Sequence, residues 1–183
     1  MNKPIDLTDV VLVTPRLTLR PWRQTDVEDF YQYASVDGVG QMAGWMPHAS
    51  REESQMILNL FMQGKHTFAL EYQGKVIGSI GVDEYDTEDC PEWDELQGRQ
   101  LGYVLARPYW GQGLMPEAVK AVLDYLFDVQ QLDFVSISHF EWNTQSRRVI
   151  EKCRFTYLKD KVIKTRRGTK EPGRFYRIMR SER

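Results

Sequence analysis

Hydrophobic positions along the chain repeat with two spacings, and the change from one to the other predicts the order of the elements. Apolar residues three or four positions apart indicate helices, whereas alternation or short β-branched and aromatic runs indicate strands. In chain order the predicted elements are a strand over 11–20, helices opening near Thr25 and Ser50, a hairpin over 68–82, a strand over 100–106, a third helix after 113, a strand over 134–140, a fourth helix after Asn143 and two strands within 156–180. The order β-αα-βββ-α-β-α-ββ indicates a mixed α/β (α+β) fold.

The first three helices have a predicted buried face. Thr25 to Glu28 and Ser50 to Glu53 each have the spacing of a capping box, which marks a helix start. The residues expected to face the core are Val27, Phe30, Tyr31 and Ala34 in the first helix, Met56, Ile57, Leu60 and Phe61 in the second, and Val119, Val122, Leu123, Leu126 and Phe127 in the third.

Composition narrows the class of protein. A chain of 183 residues and 21.5 kDa with 42% hydrophobic residues fits a single domain over 1–183 with a full core. The first residues lack the apolar core of a signal peptide, and no apolar run could span a bilayer, so we expect a cytoplasmic protein without a membrane partner. A net charge of -2 and a pI of about 6.0 argue against nucleic acid. Cys90 and Cys153 are too few for a disulfide framework or a zinc site, and no metal is expected.

A turn with two glycines joins the strand over 100–106 to the third helix. Such a turn directs free backbone N–H groups and the positive end of a helix towards an anion, and a Cβ would keep phosphate oxygens away. A dinucleotide-binding turn would need a third glycine where Pro116 stands, and the Gly-Lys-Ser/Thr of a P-loop is absent. The turn therefore predicts a phosphorylated ligand of another kind.

Two motifs resemble one family. Trp110-Gly111-Gln112-Gly113, followed by Glu117-Ala118, resembles the acetyl-CoA loop of the GNAT superfamily of N-acetyltransferases, and especially its RimJ/RimL ribosomal-protein branch. Two positions depart from the pattern: Trp110 replaces Arg or Gln, and Met115 replaces a small residue. The second motif, Asn-x-x-Ser followed by an apolar pair and Glu-Lys-x-Gly-Phe, matches at Asn143, Ser146, Val149, Ile150, Glu151, Lys152 and Phe155. The resemblance extends back to 17–21 and so covers nearly the whole chain.

The resemblance implies a fold, an activity and a set of ligand contacts. It implies the GNAT fold, a mixed and mostly antiparallel sheet splayed at the acetyl-CoA site and flanked by four helices. It also implies an enzyme, a monomer or homodimer, whose partners are acetyl-CoA and an amine acceptor. The residues expected to bind acetyl-CoA are Tyr103, Val104, Leu105, Trp110, Gly111, Gln112, Gly113, Leu114, Met115, Asn143, Ser146 and Arg147. Arg148 and Lys152 are further candidates to meet its phosphates.

The expected catalytic groups differ in how they are identified. In the RimL branch the serine of the second motif approaches the sulfur of CoA, and Ser146 holds that place; it could equally serve the start of the fourth helix, with Asn143 as N-cap. Some GNAT enzymes use a tyrosine one turn further on, where this chain has Ile150. Candidates for the base are His139 and Glu141, which would share one strand face, and Glu84.

The sequence shows no obvious strong base, and this absence bears on which amine is the acceptor. An α-amine with a pKa of about 8 is roughly a tenth neutral at pH 7, whereas a lysine amine at about 10.4 is neutral only a few times in ten thousand. This difference favours a protein N-terminus. Two alternatives stay open: a small amine (polyamine, amino sugar or amino acid), which the acidic segment 83–95 would attract, and an acyl-CoA-binding module without catalysis.

Two further features lead to expectations. The loop over 38–48 holds three glycines and Trp45, Met46 and His48; it could be a mobile wall of the acceptor side, next to the strand that carries His139, or a cover for the core. Arg154 replaces the glycine that usually ends the fourth helix in the left-handed conformation. We expect a different helix end there.

Overall fold

The computed structural model describes residues 4–87, 91–93 and 95–183, which form one eight-stranded sheet in the order β1-β2-β3-β4-β5-β6-β8-β7. The strands are β1 Leu12–Val13, β2 Thr18–Pro21, β3 Thr67–Tyr72, β4 Lys75–Asp83, β5 Gly98–Leu105, β6 Phe134–Phe140, β7 Thr156–Lys164 and β8 Lys170–Met179. β5 and β6 run parallel, and the other neighbouring strands run antiparallel. The predicted mixed, mostly antiparallel sheet is confirmed.

Helices cover both faces of this sheet. They are α1 Val27–Ala34, α2 Arg51–Gly64, α3 Leu114–Asp124 and α4 Thr144–Lys152, and a π-helical turn over Tyr125–Val129 continues α3. α3 packs with residues such as Leu19, Ile80 and Leu101 on one face, and all five of its predicted core residues are buried. α1 and α2 pack with Ala69 and Val104 in a second cluster.

The sheet opens between its two parallel strands. β5 and β6 are paired from Gly98 and Phe134 as far as Leu101 and Ile137. Beyond this point β5 continues beside β4 alone, and β6 continues beside β8 alone. The predicted splay is therefore present. The facing edges of the two strands carry backbone groups that no strand pairs there, and such groups need a partner.

The first predicted strand is wrong as a single element. Pro15 lies between the halves, and the chain turns back with Thr14 N–H donating to the Leu17 carbonyl at 2.9 Å. Thr25 also fails as a helix cap, since the Asp26 carboxylate accepts from Arg23 N–H at 2.7 Å instead. In α1 the buried tyrosine is Tyr33 rather than Tyr31.

Helix α2 starts as predicted but presents another face. Ser50 is its N-cap, with the side chain accepting from Glu53 N–H at 3.2 Å. Met56 and Leu60 are 57% and 55% exposed, whereas Leu58 is fully buried. Ser54 is buried as well, and its hydroxyl has a hydrogen-bond partner in His48 Nδ1 at 2.7 Å. The inward face of α2 therefore includes a polar residue.

The end of α4 also corrects an expectation. Arg154 takes the left-handed conformation, with φ 62, that we expected it to avoid. The turn lets Phe155 N–H donate to the Ile150 carbonyl at 3.2 Å and brings the Phe155 ring into the core. Burial of that ring offsets the strain, which costs up to about 1 kcal/mol for a residue with a Cβ. Among the described residues, no helix has the length and apolar character needed to cross a bilayer.

Candidate active site

A cavity of about 600 Å³ lies where β5 and β6 diverge. Its walls are the two strands, the glycine turn, one side of α4, and the connection between α1 and α2. The predicted site residues that line it are Tyr103, Val104, Leu105, Trp110, Gly111, Gly113, Leu114, Met115, His139, Asn143 and Ser146. The fold thus brings the two sequence motifs to one space, although about thirty residues separate them in the chain.

The glycine turn has the backbone conformation that excludes most other residues. Gly111 and Gly113 have φ values of 75° and 77°, and Gly113 is the N-cap of α3. Leu114 and Met115 begin the helix with free N–H groups, and Pro116, which has none, follows. Trp110, where the family has Arg or Gln, donates its indole N–H to the Leu105 carbonyl at 2.6 Å and so ties the turn to β5.

Hydrogen bonds from the N-terminal segment hold the glycine turn and the first turn of α3, and they were not predicted from the sequence. The Arg16 guanidinium lies 2.7 Å from Glu117 and donates to the Gln112 carbonyl at 2.9 Å. Thr14 donates to the same carboxylate at 2.6 Å. Although burial opposes ionisation, these hydrogen bonds keep the pKa of Glu117 below its usual value. The residues sit about one hundred positions apart in sequence, so no local pattern signals the contact.

Ser146 is held at the first turn of α4 by two neighbours. Its N–H donates to Asn143 Oδ1 at 3.0 Å, which confirms Asn143 as the N-cap. Its Oγ lies 2.9 Å from Tyr103 Oη, and the same phenol donates to the Ser146 carbonyl at 3.2 Å. Burial raises the pKa of Tyr103, so the phenol stays protonated. The serine hydroxyl therefore reaches the cavity in a defined position.

His139 lines the cavity with a neutral imidazole. Its Nδ1 lies 2.7 Å from the Phe140 carbonyl, which can only accept, and its Nε2 lies 3.2 Å from Tyr176 Oη. The proton is therefore on Nδ1, and Nε2 is the acceptor. Burial lowers the pKa of His139.

Four predicted residues are not brought to the cavity. β6 ends at Phe140, so Glu141 leaves the strand face of His139 and pairs with Arg174 at 3.1 Å. Glu84 lies instead in a second cavity of about 250 Å³ beside Arg99. Arg147 turns outward to Glu151 at 2.7 Å, and the Gln112 side chain donates to the Pro108 carbonyl.

Two cations of α4 line the cavity in place of Arg147. Arg148 and Lys152 are one helical turn apart, and both line the cavity. Neither forms an ion pair within residues 4–87, 91–93 and 95–183. Both charges are therefore available to an anionic ligand.

The opposite end of the cavity includes part of the 38–48 loop, one of whose two expected roles was to form a wall of the acceptor side. It is lined by apolar residues from a loop and two strands: Val39, Met42, Ala43, Phe140 and Ile163. Trp45, in the same loop, packs against the α1–α2 cluster, with its ring centroid 5.1 Å from that of His48. The tryptophan therefore covers the core, and the neighbouring Met42 and Ala43 form the wall.

The acidic segment 83–95 is described only in part. Asp83 lies 3.2 Å from His66 Nε2, and burial raises its pKa. Glu88, Asp89, Cys90 and Asp94 lie outside the described residues. Cys153 is buried, and burial raises the pKa of its thiol to about 11, so it is not a nucleophile at neutral pH.

An open sheet with a cavity at its splayed parallel strands, and a glycine turn that caps a helix there, defines an acetyl-CoA-dependent N-acetyltransferase. Residues 16–156 match the acetyltransferase (GNAT) domain, and the chain belongs to that family.

Individual proteins agree with this assignment. The chain is 30% identical over 152 residues to p20, an uncharacterized N-acetyltransferase of Bacillus licheniformis, covering 79% of this chain and 81% of that protein. The crystal structure of a GNAT-family acetyltransferase from Bacillus anthracis superposes with a TM-score of 0.81 at 23% identity, covering 94% and 100% of the two chains. The ribosomal-protein-S5-alanine acetyltransferase of Vibrio fischeri superposes with a TM-score of 0.73 at 20% identity, covering 95% and 98%.

Proposed function

We propose that this acetyltransferase acts on the α-amine of a protein N-terminus, as in the RimJ/RimL branch, in a single cytoplasmic domain over 1–183. One observation carries the proposal. The described residues that line the cavity include a positioned serine and a neutral histidine but no aspartate or glutamate. Such a site lacks the strong base that a lysine or polyamine needs, and an α-amine does not require one. The fold it shares with the Vibrio fischeri enzyme is compatible with such an acceptor.

Acetyl-CoA would lie along the splay with its phosphates at the glycine turn. The N–H groups of Gly113 to Met115 and the positive end of α3 would hold the pyrophosphate, with Arg148 and Lys152 supplying charge from α4. The edge of β5 beyond Leu101 would bond the pantetheine arm, and one of its N–H groups would stabilise the oxygen of the thioester.

The reaction joins the amine to the acetyl group in one displacement. The neutral amine nitrogen attacks the thioester carbonyl carbon, the C–N bond forms, and the C–S bond breaks. Ser146 Oγ donates to the departing sulfur, whose thiol has a pKa of about 8.5. The proton lost by the amine passes to water, or to His139 Nε2 once that nitrogen gives up its hydrogen bond from Tyr176 Oη. Ser146 regains a proton from water, so the products are an amide and free CoA. Asn143 and Tyr103 position the serine for this step.

The two alternatives fit the cavity less well. A polyamine or amino sugar carries several positive charges, which a site usually offsets with carboxylates; the described lining instead holds Arg148 and Lys152. A binding module without catalysis would need neither a positioned hydroxyl nor an imidazole in the cavity, whereas Ser146 and His139 both line it.

Release of free CoA from acetyl-CoA tests the proposal. The acceptors are a peptide with a free α-amine and no lysine, the same peptide with a blocked N-terminus, spermidine, and an aminoglycoside. We expect CoA release above background with the free peptide alone. Release with spermidine or the aminoglycoside, and none with either peptide, would refute the proposed acceptor.

A further inference from the structure

The end of the cavity opposite the glycine turn is an apolar pocket. Its wall is formed by Val39, Met42 and Ala43 from the α1–α2 connection, Phe140 from β6 and Ile163 from β7. Val39 is fully buried and Phe140 is 5% exposed. The apolar side chains of Met42, Ala43 and Ile163 keep accessible surface, and burying that surface favours an apolar group next to the attacking amine.

This wall continues to the surface. Trp142 stacks on Phe140 with centroids 5.2 Å apart and an interplanar angle of 10°, and it is 49% exposed. A Cβ at Gly44 would lie 3.1 Å from Phe140 Cζ, so the loop closes against the same ring. An acceptor longer than one residue would leave the cavity over this aromatic pair.

The turn between β7 and β8 places positive charge beside the exit. Its exposed cations are Lys164, Arg166, Arg167 and Lys170. Arg166 N–H donates to the Gly44 carbonyl at 3.0 Å, which fixes the turn to the acceptor loop. Within the described part of the chain none of the four forms an ion pair.

Nearby carboxylates offset part of this charge. Asp83 interacts with Arg166 through space, and Glu171, next to Lys170, keeps its charge when it accepts from the Thr169 hydroxyl. The four cations still outnumber these two carboxylates. The exit therefore keeps a positive potential, which attracts acidic chains and repels cationic ones.

We propose that the acceptor end selects a polypeptide N-terminus whose first residue is apolar and whose next few residues are acidic. The first side chain enters the pocket of Met42 and Ile163, its α-amine faces the thioester, and the following residues pass Trp142 towards the cationic turn. This inference rests on the proposed function, since it assumes a peptide acceptor.

A peptide series tests both parts. Hexapeptides begin with Leu, Met, Ser, Glu or Lys, and carry either three Glu or three Lys at positions three to five. We expect kcat/KM at least tenfold higher for Leu or Met first than for Glu or Lys first. With Leu first, we expect the acidic series to exceed the basic series at least tenfold at low salt, and the ratio to shrink as salt is added.

Variants locate the effect. Met42→Asp should reverse the preference between Leu and Lys as first residue, while Met46→Asp, in the same loop but 55% exposed, should leave it unchanged. The double variant Arg166→Glu, Arg167→Glu should remove the preference for acidic residues. Arg23→Glu, a charge reversal at an exposed residue before the start of α1, is its control.

The outcomes separate the two proposals. Peptides acetylated at rates independent of the first residue and of positions three to five would overturn the inference and leave the proposed function intact. Acetylation of no peptide, with transfer to spermidine, would overturn both. The wild-type peptide series distinguishes these outcomes without any variant, so it remains decisive even where the Met42→Asp protein fails to fold.

Discussion

Tyr103 Oη lies 2.9 Å from Ser146 Oγ and 3.2 Å from the Ser146 carbonyl oxygen. One phenol on β5 thus holds both the backbone and the side chain of the first turn of α4. Because β5 also forms the wall of the cavity, the serine is positioned relative to the strand that would hold the thioester. The two sequence motifs meet physically at this pair.

Ser146→Ala should lower kcat by about 10- to 100-fold, because the departing sulfur loses its donor. The KM for acetyl-CoA should change little, since the hydroxyl acts on the leaving group and not on the bound thioester. Steady-state kinetics with a peptide acceptor measures both values. An unaltered kcat, with chemistry rate-limiting, would reduce Ser146 to a helix-start residue.

Tyr103→Phe is the matched control for this effect. It removes one oxygen and keeps the ring in place, so kcat should fall less than in Ser146→Ala. In the Ser146→Ala background the same change should have almost no further effect on kcat, because the two residues act as one unit. Fully additive losses would show that Tyr103 acts independently.

Gly113→Val should weaken CoA binding at least tenfold, or about 1.4 kcal/mol. A β-branched residue resists the φ of 77° and would place carbon atoms where the phosphates approach. Gly74→Val, at a φ of 78° in the β3–β4 turn, carries the same backbone strain at a residue that does not line the cavity. Calorimetry with CoA should therefore separate the two variants; equal affinities would contradict the loop assignment.

Asn143→Ser should raise the KM for the acceptor several-fold while leaving the KM for acetyl-CoA nearly unchanged. The asparagine caps α4 through Oδ1 and donates from Nδ2 to the Met42 carbonyl at 3.1 Å, so it links the serine to the acceptor loop. Serine keeps the cap without the second bond. Asn143→Ala, which loses both, should also lower the melting temperature. A normal acceptor KM in Asn143→Ser would mean that the bond to Met42 does not shape the acceptor end.

The folded protein should lose stability as the pH falls below about 6.5, the ordinary histidine value. Burial lowers the pKa of His139 and of His48, so the unfolded chain binds more protons in this range and acid favours unfolding. His139→Gln should therefore lose less stability than wild type between pH 7.5 and 5.5. Urea unfolding at both pH values gives the comparison, and equal losses would show that His139 contributes nothing to the pH dependence.

Regular elements with a strong apolar period can be predicted from the sequence. The pattern predicts strand β6 over 134–140, and the structure has it over Phe134–Phe140. The α3 face is predicted as well, because its apolar residues bury against the sheet without help from polar contacts. In α2 the buried Ser54 breaks the pattern, since its partner His48 comes from a preceding loop.

The acetyl-CoA side of the candidate site can be predicted from the sequence more fully than the acceptor side. Motif residues such as Gly113 and Ser146 are located because each motif is local in sequence. The sequence offers the 38–48 loop as a wall of the acceptor side but not Ile163, because the β7–β8 hairpin meets that loop only through long-range contacts such as that of Arg166 with Gly44. The place of Glu141 depends on where β6 ends, which an apolar pattern does not determine to one residue.

Mass spectrometry of one peptide tests the central claim most directly. The peptide begins with Leu, contains one lysine at its far end, and is incubated with acetyl-CoA and the wild-type enzyme. The account predicts one acetyl group on the α-amine, an equal amount of free CoA, and no product from the N-terminally blocked peptide. Acetylation of the lysine alone, or CoA release that needs a polyamine in place of the peptide, would contradict it.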